Sequence, residues 1–331
     1  MPWINCNGFS NFISWTEEVL YNIGVNYIKE IKQIKNAYVS TVFQIKTDRE
    51  DFYLKIVGSR YIKEIEILED LLKNNFIESV DVVSINNNKM AYIMKDMGGK
   101  NLEEDFNISY IYDTIHKIAK FQRSVINKTD RKEIKNIYYD MTTPTIIKVI
   151  RNIPCIGNVL LKKSNYRFKE DEKGKLQRSL NEYENICKEI PDIIPYSIDH
   201  GDLRPGNIRV NTDRGQIIYD WAWSNYTHPF FTVIGFFHTI RRNEDFKKEK
   251  YKLLDVYFDY WLEYASKDEL KDIYLKLEKL TRIYHVVADI YWLQSLIEDY
   301  PDNEYNKFSA DGLVIDKRRQ YFSYVLKKLI I

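Results

Sequence analysis

The strongest constraint on the fold lies in residues 207–220, which read "NIRVNTDRGQIIYD". Two short runs of alternating apolar residues flank a polar turn, and this pattern predicts a β-hairpin. Because a hairpin brings the outer ends of its two strands together, Asn207 and Asp220 should lie about 5 Å apart at the backbone. An amide oxygen and a carboxylate at this separation suit a hard cation such as Mg²⁺, which fills its other positions with water and phosphate oxygens.

The turn that enters this hairpin, "HGDLRPGN", contains a further carboxylate. Asp202 lies just before Asn207, at the same end of the hairpin. A carboxylate in this place can accept a proton from a hydroxyl group that approaches a metal-bound phosphate. Alternatively, Asp202 forms an Asx turn that organises the loop. The combination of Asp202 with Asn207 and Asp220 favours the catalytic interpretation.

The order of predicted elements divides the chain into two parts. Strand and turn patterns dominate the first part, whereas the chain from residue 108 onward is mostly helical apart from the hairpin. We therefore expect a small α+β N-terminal lobe at 1–97 and a larger helical lobe at 98–331. The elements predicted for the first lobe are a helix with a Ser-x-x-Glu capping box at 14–24, a hairpin at 36–57, a helix at 59–75, and two strands around "INNNK" that end at Gly98 and Gly99.

One lysine stands among the apolar residues of the predicted strand "FYLKIV". A solvent-facing position is the ordinary interpretation of Lys55, but the next helix contains a matching carboxylate. At about 100° per residue Glu64 falls within the apolar stripe of that helix, whereas Glu66 and Asp70 face the opposite side. Because a carboxylate on a buried face needs a partner, Lys55 is the candidate. A lysine held in this way binds nucleotide phosphates; the alternative is that Glu64 lies only at the rim of the helix face.

Composition argues against several classes of partner. The net charge of +1 provides no basic field that would recruit nucleic acid or an anionic membrane surface. The N-terminus lacks the basic and apolar segments of a secretory signal, and no apolar run reaches the length of a membrane span. The three cysteines have neither paired nor metal-binding spacing. We therefore expect a cytoplasmic protein with reduced thiols that binds neither nucleic acid nor a membrane.

The segment "HGDLRPGN", followed by "IYDW", resembles the catalytic and metal-binding segments of the aminoglycoside phosphotransferase and choline kinase family, distant relatives of the protein kinases. The order of parts is also similar: a strand lysine, a helix glutamate, the segment "IMKDMGG", the catalytic loop and the metal-binding aspartate. The resemblance covers residues 36–240. The segments "YVSTVFQIKT", "FYLK", "MKDMGG" and "YDWAWSNYTHPFF" resemble a bacterial branch of this family. The resemblance implies an α+β, bilobal protein-kinase-like fold with a small antiparallel-sheet lobe and a large helical lobe. It also implies ATP- and Mg²⁺-dependent transfer of a phosphoryl group to a hydroxyl group.

The resemblance also implies a role for each matched position. Asp202 would be the general base or the residue that orients the hydroxyl group. Lys55, fixed by Glu64, would bind the α- and β-phosphates of ATP, and His200 would brace the catalytic loop. The remaining implied roles are Mg²⁺ binding by Asn207 and Asp220, hydrogen bonding of the adenine edge by the backbone of Lys95 and Met97, and the gatekeeper position at Met94.

Three departures from the family pattern affect the site. The metal-binding triplet reads "DWA" instead of the Asp-Phe-Gly of protein kinases, and Trp221 would fill the same apolar role. The segment expected to cover the phosphates, residues 35–42, contains no glycine, so backbone amides with the hydroxyl group of Ser40 or Thr41 would take its place. Arg204 stands two residues after the catalytic aspartate, where protein kinases have a lysine. It would either stabilise charge on the transferring phosphoryl group or form a salt bridge with a helix carboxylate.

The acceptor is expected to be a small molecule, because the chain lacks the peptide-docking segment that protein kinases have after the metal-binding aspartate. The aromatic and then acidic stretch at 282–305 is a candidate for lining the acceptor pocket, although aromatic residues at helical spacing more often belong to a core. The candidate pocket residues are Tyr284, His285, Asp289 and Trp292.

Three functions are consistent with these patterns. The leading hypothesis is a kinase that phosphorylates an antibiotic or an intermediate of natural-product biosynthesis. The second is a metabolic kinase of choline, a sugar or an amino alcohol. The third is a non-catalytic nucleotide-binding protein, which only the missing glycine-rich loop supports. The chain is expected to act as a monomer or a homodimer.

Overall fold

The computed structural model describes residues 6–37, 40–58, 63–75, 80–128, 131–160, 168–211, 215–299 and 320–330. The chain forms two units. The first comprises Met1–Tyr138, His200–Ser224 and Thr239–Glu249, and the second comprises Tyr139–Asp199, Asn225–His238 and Lys250–Ile331. This division differs from the one expected after residue 97, because the hairpin returns to the N-terminal part of the chain.

The described elements alternate between short strands and longer helices. In chain order they are α1 (Cys6–Asn22), β1 (Ile28–Asn36), β2 (Ser40–Thr47), β3 (Phe52–Val57), α2 (Lys63–Lys73), β4 (Val82–Asn86), β5 (Ala91–Lys95), β6 (Lys100–Asn101), α3 (Ile108–Lys128), α4 (Arg131–Ile137), β7 (Tyr139–Asp140), α5 (Thr143–Leu160), α6 (Glu170–Glu189), β8 (Ser197–Asp199), a 3-10 turn (Pro205–Asn207), β9 (Ile208–Asn211), β10 (Gly215–Ile218), β11 (Asn225–Thr227), α7 (Phe230–Ile240), α8 (Glu244–Asp259) and α9 (Lys267–Asp299), followed by a helix at 320–328.

The N-terminal sheet has five strands in the order β1-β2-β3-β5-β4, and all neighbouring strands are antiparallel. The predicted hairpin at 36–57, the helix at 59–75 and the two strands around "INNNK" are confirmed by β2–β3, α2 and β4–β5. Because successive side chains of a strand point to opposite faces, the side chains of β3 lie alternately on two faces of the sheet. Phe52, Leu54 and Ile56 belong to a buried core that includes residues of α1, and the intervening Lys55 faces the other side.

The first helix is longer than its sequence indicates. The predicted start at Ser14 is wrong, because α1 already begins at Cys6 and the Ser-x-x-Glu motif lies within its turns. The predicted end is close to the observed one. Gly24 adopts a left-handed φ of +88° and donates its N–H to the carbonyl group of Tyr21 at 2.9 Å, which closes the last turn.

The sequence does not predict strand β1, because its isoleucines recur every third residue rather than every second. The structure shows the reason. The β1–β2 register shifts between Ile28 and Glu30, and it shifts again between Gln33 and Lys35. Each shift places an additional residue in β1 and therefore interrupts the two-residue alternation that marks a strand. β1 forms an edge of the sheet, and most of its residues are exposed.

The hairpin predicted at 207–220 is confirmed over Ile208–Ile218, where β9 and β10 pair in antiparallel register, although Asn207 meets Tyr219 rather than Asp220: the N–H of Tyr219 donates to the carbonyl group of Asn207 at 3.1 Å. Its far strand is held to α3 through one glutamine. Gln216 accepts a hydrogen bond from the hydroxyl group of Thr114 at 2.9 Å and donates one to the carbonyl group of Tyr110 at 2.6 Å. These bonds explain why the hairpin belongs to the first unit although it lies far along the chain.

Two glycines let the segment after β5 approach the hairpin closely. Strand β6 pairs with β9, and it begins directly after Gly98 and Gly99, whose φ angles are +63° and +67°. L-residues with a side chain rarely adopt this conformation. At Gly99 a Cβ atom would also collide with the carbonyl oxygen of Val210 in β9.

The substitution Gly99→Ala is expected to destabilise the protein more than Gly215→Ala does. Gly215 also has a left-handed φ, +70°, but nothing lies within 4 Å of its Cβ position. Gly215→Ala should therefore cost only the conformational term of about 1–2 kcal/mol. Gly99→Ala should cost a further ~1–3 kcal/mol, because the Val210 backbone must move. Urea unfolding of the two variants measures the difference, and equal midpoints would contradict the close approach.

The second unit contains a small sheet and a helical core. Strand β11 runs parallel to β7 and antiparallel to β8. Large buried side chains of this unit form an aromatic cluster in which Phe230 lies 5.4 Å from Tyr257 and 5.8 Å from Trp261 between ring centroids. Within the described ranges, the chain has no helix with the length and apolar character needed to cross a membrane.

Candidate active site

A cavity of about 360 Å³ lies within the first unit, and residues of the N-terminal sheet, α2 and the hairpin line it. Residues from segments far apart in the sequence meet there, as the motifs predict. The predicted site residues that line the cavity are Lys55, Glu64, Met94, Met97, Arg204, Asn207 and Asp220.

Lys55 faces this cavity because of its register in the sheet. It lies opposite Val42 of β2 and opposite Tyr92 of β5, so these three side chains emerge on one face. All three line the cavity, whereas Leu54 and Ile56 on either side of Lys55 are buried in the core against α1. Strand alternation therefore places Lys55 on the cavity side of β3.

The ammonium group of Lys55 bridges two carboxylates. Its Nζ lies 2.6 Å from Oε1 of Glu64 and 2.8 Å from Oδ1 of Asp220. The hydroxyl group of Tyr92 donates a third contact, to Oε1 of Glu64 at 3.0 Å. Lys55 and Glu64 are each only 6% exposed, so the structure contains the buried pair that the helical position of Glu64 predicts.

These contacts determine the charges in the cavity. Burial by itself would lower the pKa of Lys55, but Glu64, Tyr92 and Asp220 outweigh burial and raise that pKa well above its ordinary value. Burial would likewise raise the pKa of Asp220, yet Lys55 holds it below the usual range, with a smaller contribution from Lys35. At neutral pH the site therefore presents a positive Lys55 next to an ionised Asp220.

The donor set at the end of the hairpin fits Mg²⁺. Asn207 turns its Nδ2 to the carbonyl group of Asp202 at 2.8 Å, which leaves the amide oxygen as the atom available to a cation. The carboxylate of Asp220 projects from a left-handed backbone with φ +64°, a conformation that a non-glycine residue keeps only where its surroundings hold it. No cluster of three or more His, Cys, Asp or Glu suited to a metal occurs among the described residues, so phosphate oxygens and water would complete this site.

The loop that precedes the hairpin positions Asp202. Its Oδ2 accepts hydrogen bonds from Nδ2 of Asn207 at 3.0 Å and from Nε of Arg204 at 3.3 Å. The Asp202 side chain is 42% exposed, so a second molecule can reach it. Of the two roles expected for Arg204, the salt bridge is present, but its partner is Asp202 of the same loop rather than a helix carboxylate.

His200 is fully buried beneath this loop. Its Nδ1 accepts a hydrogen bond from the backbone N–H of Asp202 at 3.3 Å, so the proton lies on Nε2, which donates to the carbonyl group of Tyr219 at 3.0 Å. The ring also packs against Trp221, with 4.4 Å between centroids. Because both ring nitrogens hold the backbone, the geometry suits bracing of the loop rather than proton transfer.

The two methionines expected at the base-binding end line the cavity, and Lys95 does not. The N–H of Lys95 already donates to the carbonyl group of Asp81 at 2.9 Å, and its Nζ pairs with Glu50 at 2.8 Å. The N–H of Met97 has no acceptor among the described residues, so Met97 is better placed than Lys95 to donate to a base.

Several lining residues were not predicted from the sequence, among them Tyr53, Arg209 and Tyr219, whereas Lys35 belongs to the segment expected to cover the phosphates. The hydroxyl group of Tyr219 donates to the carbonyl group of Gly206 at 2.7 Å. Arg209 donates to the carbonyl group of Gly99 at 3.3 Å, while its buried Nε has no partner in the described part of the chain. The only sequence signal for Arg209 is its charge within a short apolar strand, which equally fits a solvent-facing residue.

The hydroxyl groups of Ser40 and Thr41, which were expected to replace a glycine-rich loop, do not line the cavity. Ser40 and Thr41 are buried at the start of β2 and are absent from the cavity lining. Thr41 lies opposite Ile56, a core residue, and its hydroxyl group donates to Asn36 at 3.3 Å. Part of the expected loop, residues 38 and 39, lies outside the described residues.

The residues expected to line an acceptor pocket belong to the second unit. Tyr284 is buried there: its hydroxyl group donates to Oδ2 of Asp199 at 2.7 Å, and its ring stacks on Phe231 with 4.1 Å between centroids. Tyr284 is therefore a core residue. This is the alternative given for aromatic residues at helical spacing, which more often belong to a core than to a pocket. His285 is exposed and Asp289 is partly buried on the same helix, α9, whereas the side chain of Trp292 lies outside the described part.

No protein-family model matches the sequence, and no curated protein matches it significantly. Solved structures match its fold. Choline kinase LicA from Streptococcus pneumoniae aligns with a TM-score of 0.57 and 12% identity, covering 95% of this chain and 99% of that one. A spectinomycin phosphotransferase in complex with ADP and spectinomycin aligns with a TM-score of 0.53 and 12% identity, covering 95% and 98%.

A third solved structure also matches the fold of this chain. An ethanolamine kinase from Plasmodium vivax aligns with a TM-score of 0.54 and 15% identity, covering 89% of this chain and 82% of that one. At such identities the similarity shows the fold. The chain has the α+β, protein-kinase-like fold of the choline kinases and aminoglycoside phosphotransferases, which confirms the fold that its motifs predict.

Proposed function

We propose that this chain is an ATP- and Mg²⁺-dependent kinase that phosphorylates a hydroxyl group of a small molecule. One observation carries the proposal. The buried ammonium group of Lys55 bridges Glu64 and Asp220 in a cavity that Asn207 also lines. A lysine held by a helix carboxylate beside an amide–carboxylate pair is the arrangement needed to bind a nucleotide through its phosphates and a metal ion.

The binding roles follow from charge and position. Lys55 offers its ammonium group to phosphate oxygens, and its two carboxylate partners keep it oriented and protonated. The amide oxygen of Asn207 and the carboxylate of Asp220 would hold Mg²⁺. When bound, Mg²⁺ offsets the negative charge of the phosphate oxygens. The N–H of Met97 would donate to the base.

The chemical step is assigned to the exposed carboxylate of the loop. The acceptor oxygen forms a bond to the terminal phosphorus, and the bond between that phosphorus and the bridging oxygen breaks, so that ADP leaves with the electron pair. Asp202 accepts the hydroxyl proton or orients the hydroxyl group for attack. Arg204, which contacts Asp202 and lines the same cavity, is close enough to stabilise charge on the transferring group.

For the acceptor we favour an antibiotic or an intermediate of natural-product biosynthesis. Two of the matching structures support this class: one is a spectinomycin phosphotransferase, and the other is an amicoumacin kinase in complex with AMP-PNP, Ca²⁺ and Ami. Choline and ethanolamine kinases share the fold equally well and support a metabolic amino alcohol as the second candidate.

A panel of acceptors tests the proposal. ADP release is measured with Mg²⁺-ATP and, in separate reactions, spectinomycin, amicoumacin, aminoglycosides, choline, ethanolamine and simple sugars. We expect ADP release to require one class of acceptor and to stop when EDTA removes Mg²⁺. Mass spectrometry should show the acceptor heavier by one phosphoryl group. Tight Mg²⁺-ATP binding without turnover on any acceptor would instead support the non-catalytic nucleotide-binding alternative.

A further inference from the structure

An irregularity in β1 turns a lysine towards the cavity. Along β1 the pairing advances two residues, from Gln33 to Lys35, while along β2 it advances only one, from Phe43 to Val42. Ile34 and Lys35 therefore share one position opposite Val42, as in a β-bulge. Both residues line the cavity, which regular alternation would not allow for two neighbours in a strand.

The bulge brings Lys35 into one row with the site. Lys35 lies opposite Val42, and Val42 lies opposite Lys55, so the three residues follow one another across β1, β2 and β3. With a strand spacing of about 4.8 Å, the backbones of Lys35 and Lys55 are about 10 Å apart. Two extended lysine side chains at this separation can reach neighbouring phosphate groups of one nucleotide.

The charges of the cavity also favour Lys35. Lys55 is neutralised by two carboxylates, Arg204 is paired with Asp202, and Arg209 donates to the carbonyl group of Gly99. Lys35 is exposed and has no carboxylate within 4.0 Å among the described residues. It nevertheless lies close enough to Asp220 to act electrostatically on that carboxylate. Its ammonium group is therefore available for an anion that enters the cavity.

We propose that Lys35 is a phosphate-binding residue, which supplies from the β1 bulge the stabilisation that a glycine-rich loop would otherwise give. This inference rests on the proposed function, because it requires a nucleotide in the cavity. It also explains how a site without glycine at 35–42 and with Ser40 and Thr41 buried can hold a triphosphate. A charged side chain replaces backbone amides as the donor to phosphate.

Binding of Mg²⁺-AMP-PNP and of adenosine to the full-length chain separates phosphate contacts from base contacts. Lys35→Gln is expected to weaken Mg²⁺-AMP-PNP binding about 5- to 10-fold and to leave adenosine binding unchanged. Lys35→Arg should retain most of the affinity, because it keeps the positive charge. The matched control is Lys32→Gln, which removes the same charge from an exposed residue of β1 that does not line the cavity.

The possible outcomes distinguish a failure of the role proposed for Lys35 from a failure of the proposed kinase function. If Lys35→Gln and Lys32→Gln bind Mg²⁺-AMP-PNP equally well while the unaltered chain binds it tightly, Lys35 is not a phosphate ligand and the kinase proposal stands. A parallel loss of adenosine binding in Lys35→Gln would show a general disturbance of the sheet and would also overturn the inference. If the unaltered chain binds neither ligand, the nucleotide-binding function itself fails.

Discussion

Substituting Asp202→Asn is expected to lower the turnover number for acceptor phosphorylation by about 10³-fold. The amide oxygen of the new side chain can still accept the hydrogen bonds from Asn207 and Arg204, so the loop should keep its geometry. What disappears is the negative charge and the capacity to accept a proton from the hydroxyl group. Steady-state kinetics with the acceptor identified by the ADP-release panel measures the change.

The control for this substitution is Asp105→Asn. Asp105 is an exposed carboxylate of the same unit that does not line the cavity, so its neutralisation should leave turnover unchanged. Mg²⁺-AMP-PNP should bind the Asp202→Asn variant within about twofold of the unaltered chain, because Asp202 is assigned to the acceptor and not to the nucleotide. Full turnover in Asp202→Asn would remove Asp202 from the chemical step.

Substituting Lys55→Met is expected to lower both stability and nucleotide affinity. The change leaves the buried carboxylate of Glu64 and the carboxylate of Asp220 without their shared cation. Breaking a buried pair in this way costs about 3–5 kcal/mol in unfolding free energy. Adding Glu64→Gln should restore much of the lost stability, because Tyr92 can still donate to the amide oxygen. The double variant should remain unable to bind Mg²⁺-AMP-PNP tightly, since no cation has returned.

A neighbouring ion pair provides the control for burial. Lys46 on β2 pairs with Glu30 at 2.8 Å, but both side chains are about half exposed. Lys46→Met should therefore change the urea midpoint little, since exposed pairs gain little over their solvated ions. If Lys55→Met and Lys46→Met were equally stable, the pair in the cavity would not be buried as the structure shows.

The sequence predicted the structure correctly where the pattern of a short segment determines the geometry of that same segment. The alternation on either side of "TDRG" predicted the hairpin, and the helical phase of Glu64 predicted its pairing with Lys55. Sequence reasoning failed where local rules were broken. The start of α1 was wrong because a Ser-x-x-Glu motif does not prevent a helix from beginning earlier, at Cys6.

Tyr284 shows a different limit of local patterns. Aromatic residues at helical spacing indicate a face that contacts something, and they do not distinguish a core from a pocket. Only the hydrogen bond to Asp199 and the stacking on Phe231 show that Tyr284 lies in the core.

By itself, the sequence determined the hairpin that follows Asn207 and the helical phase that turns Glu64 towards Lys55, because hairpin closure and helical phase act over a few residues. Tertiary structure alone decided the rest of the cavity. The β1 bulge that turns Lys35 inward depends on pairing with β2, and the approach of Gly99 to Val210 depends on β9, more than 100 residues away. Such contacts join parts of the chain whose local patterns do not encode one another, so no short segment could predict them.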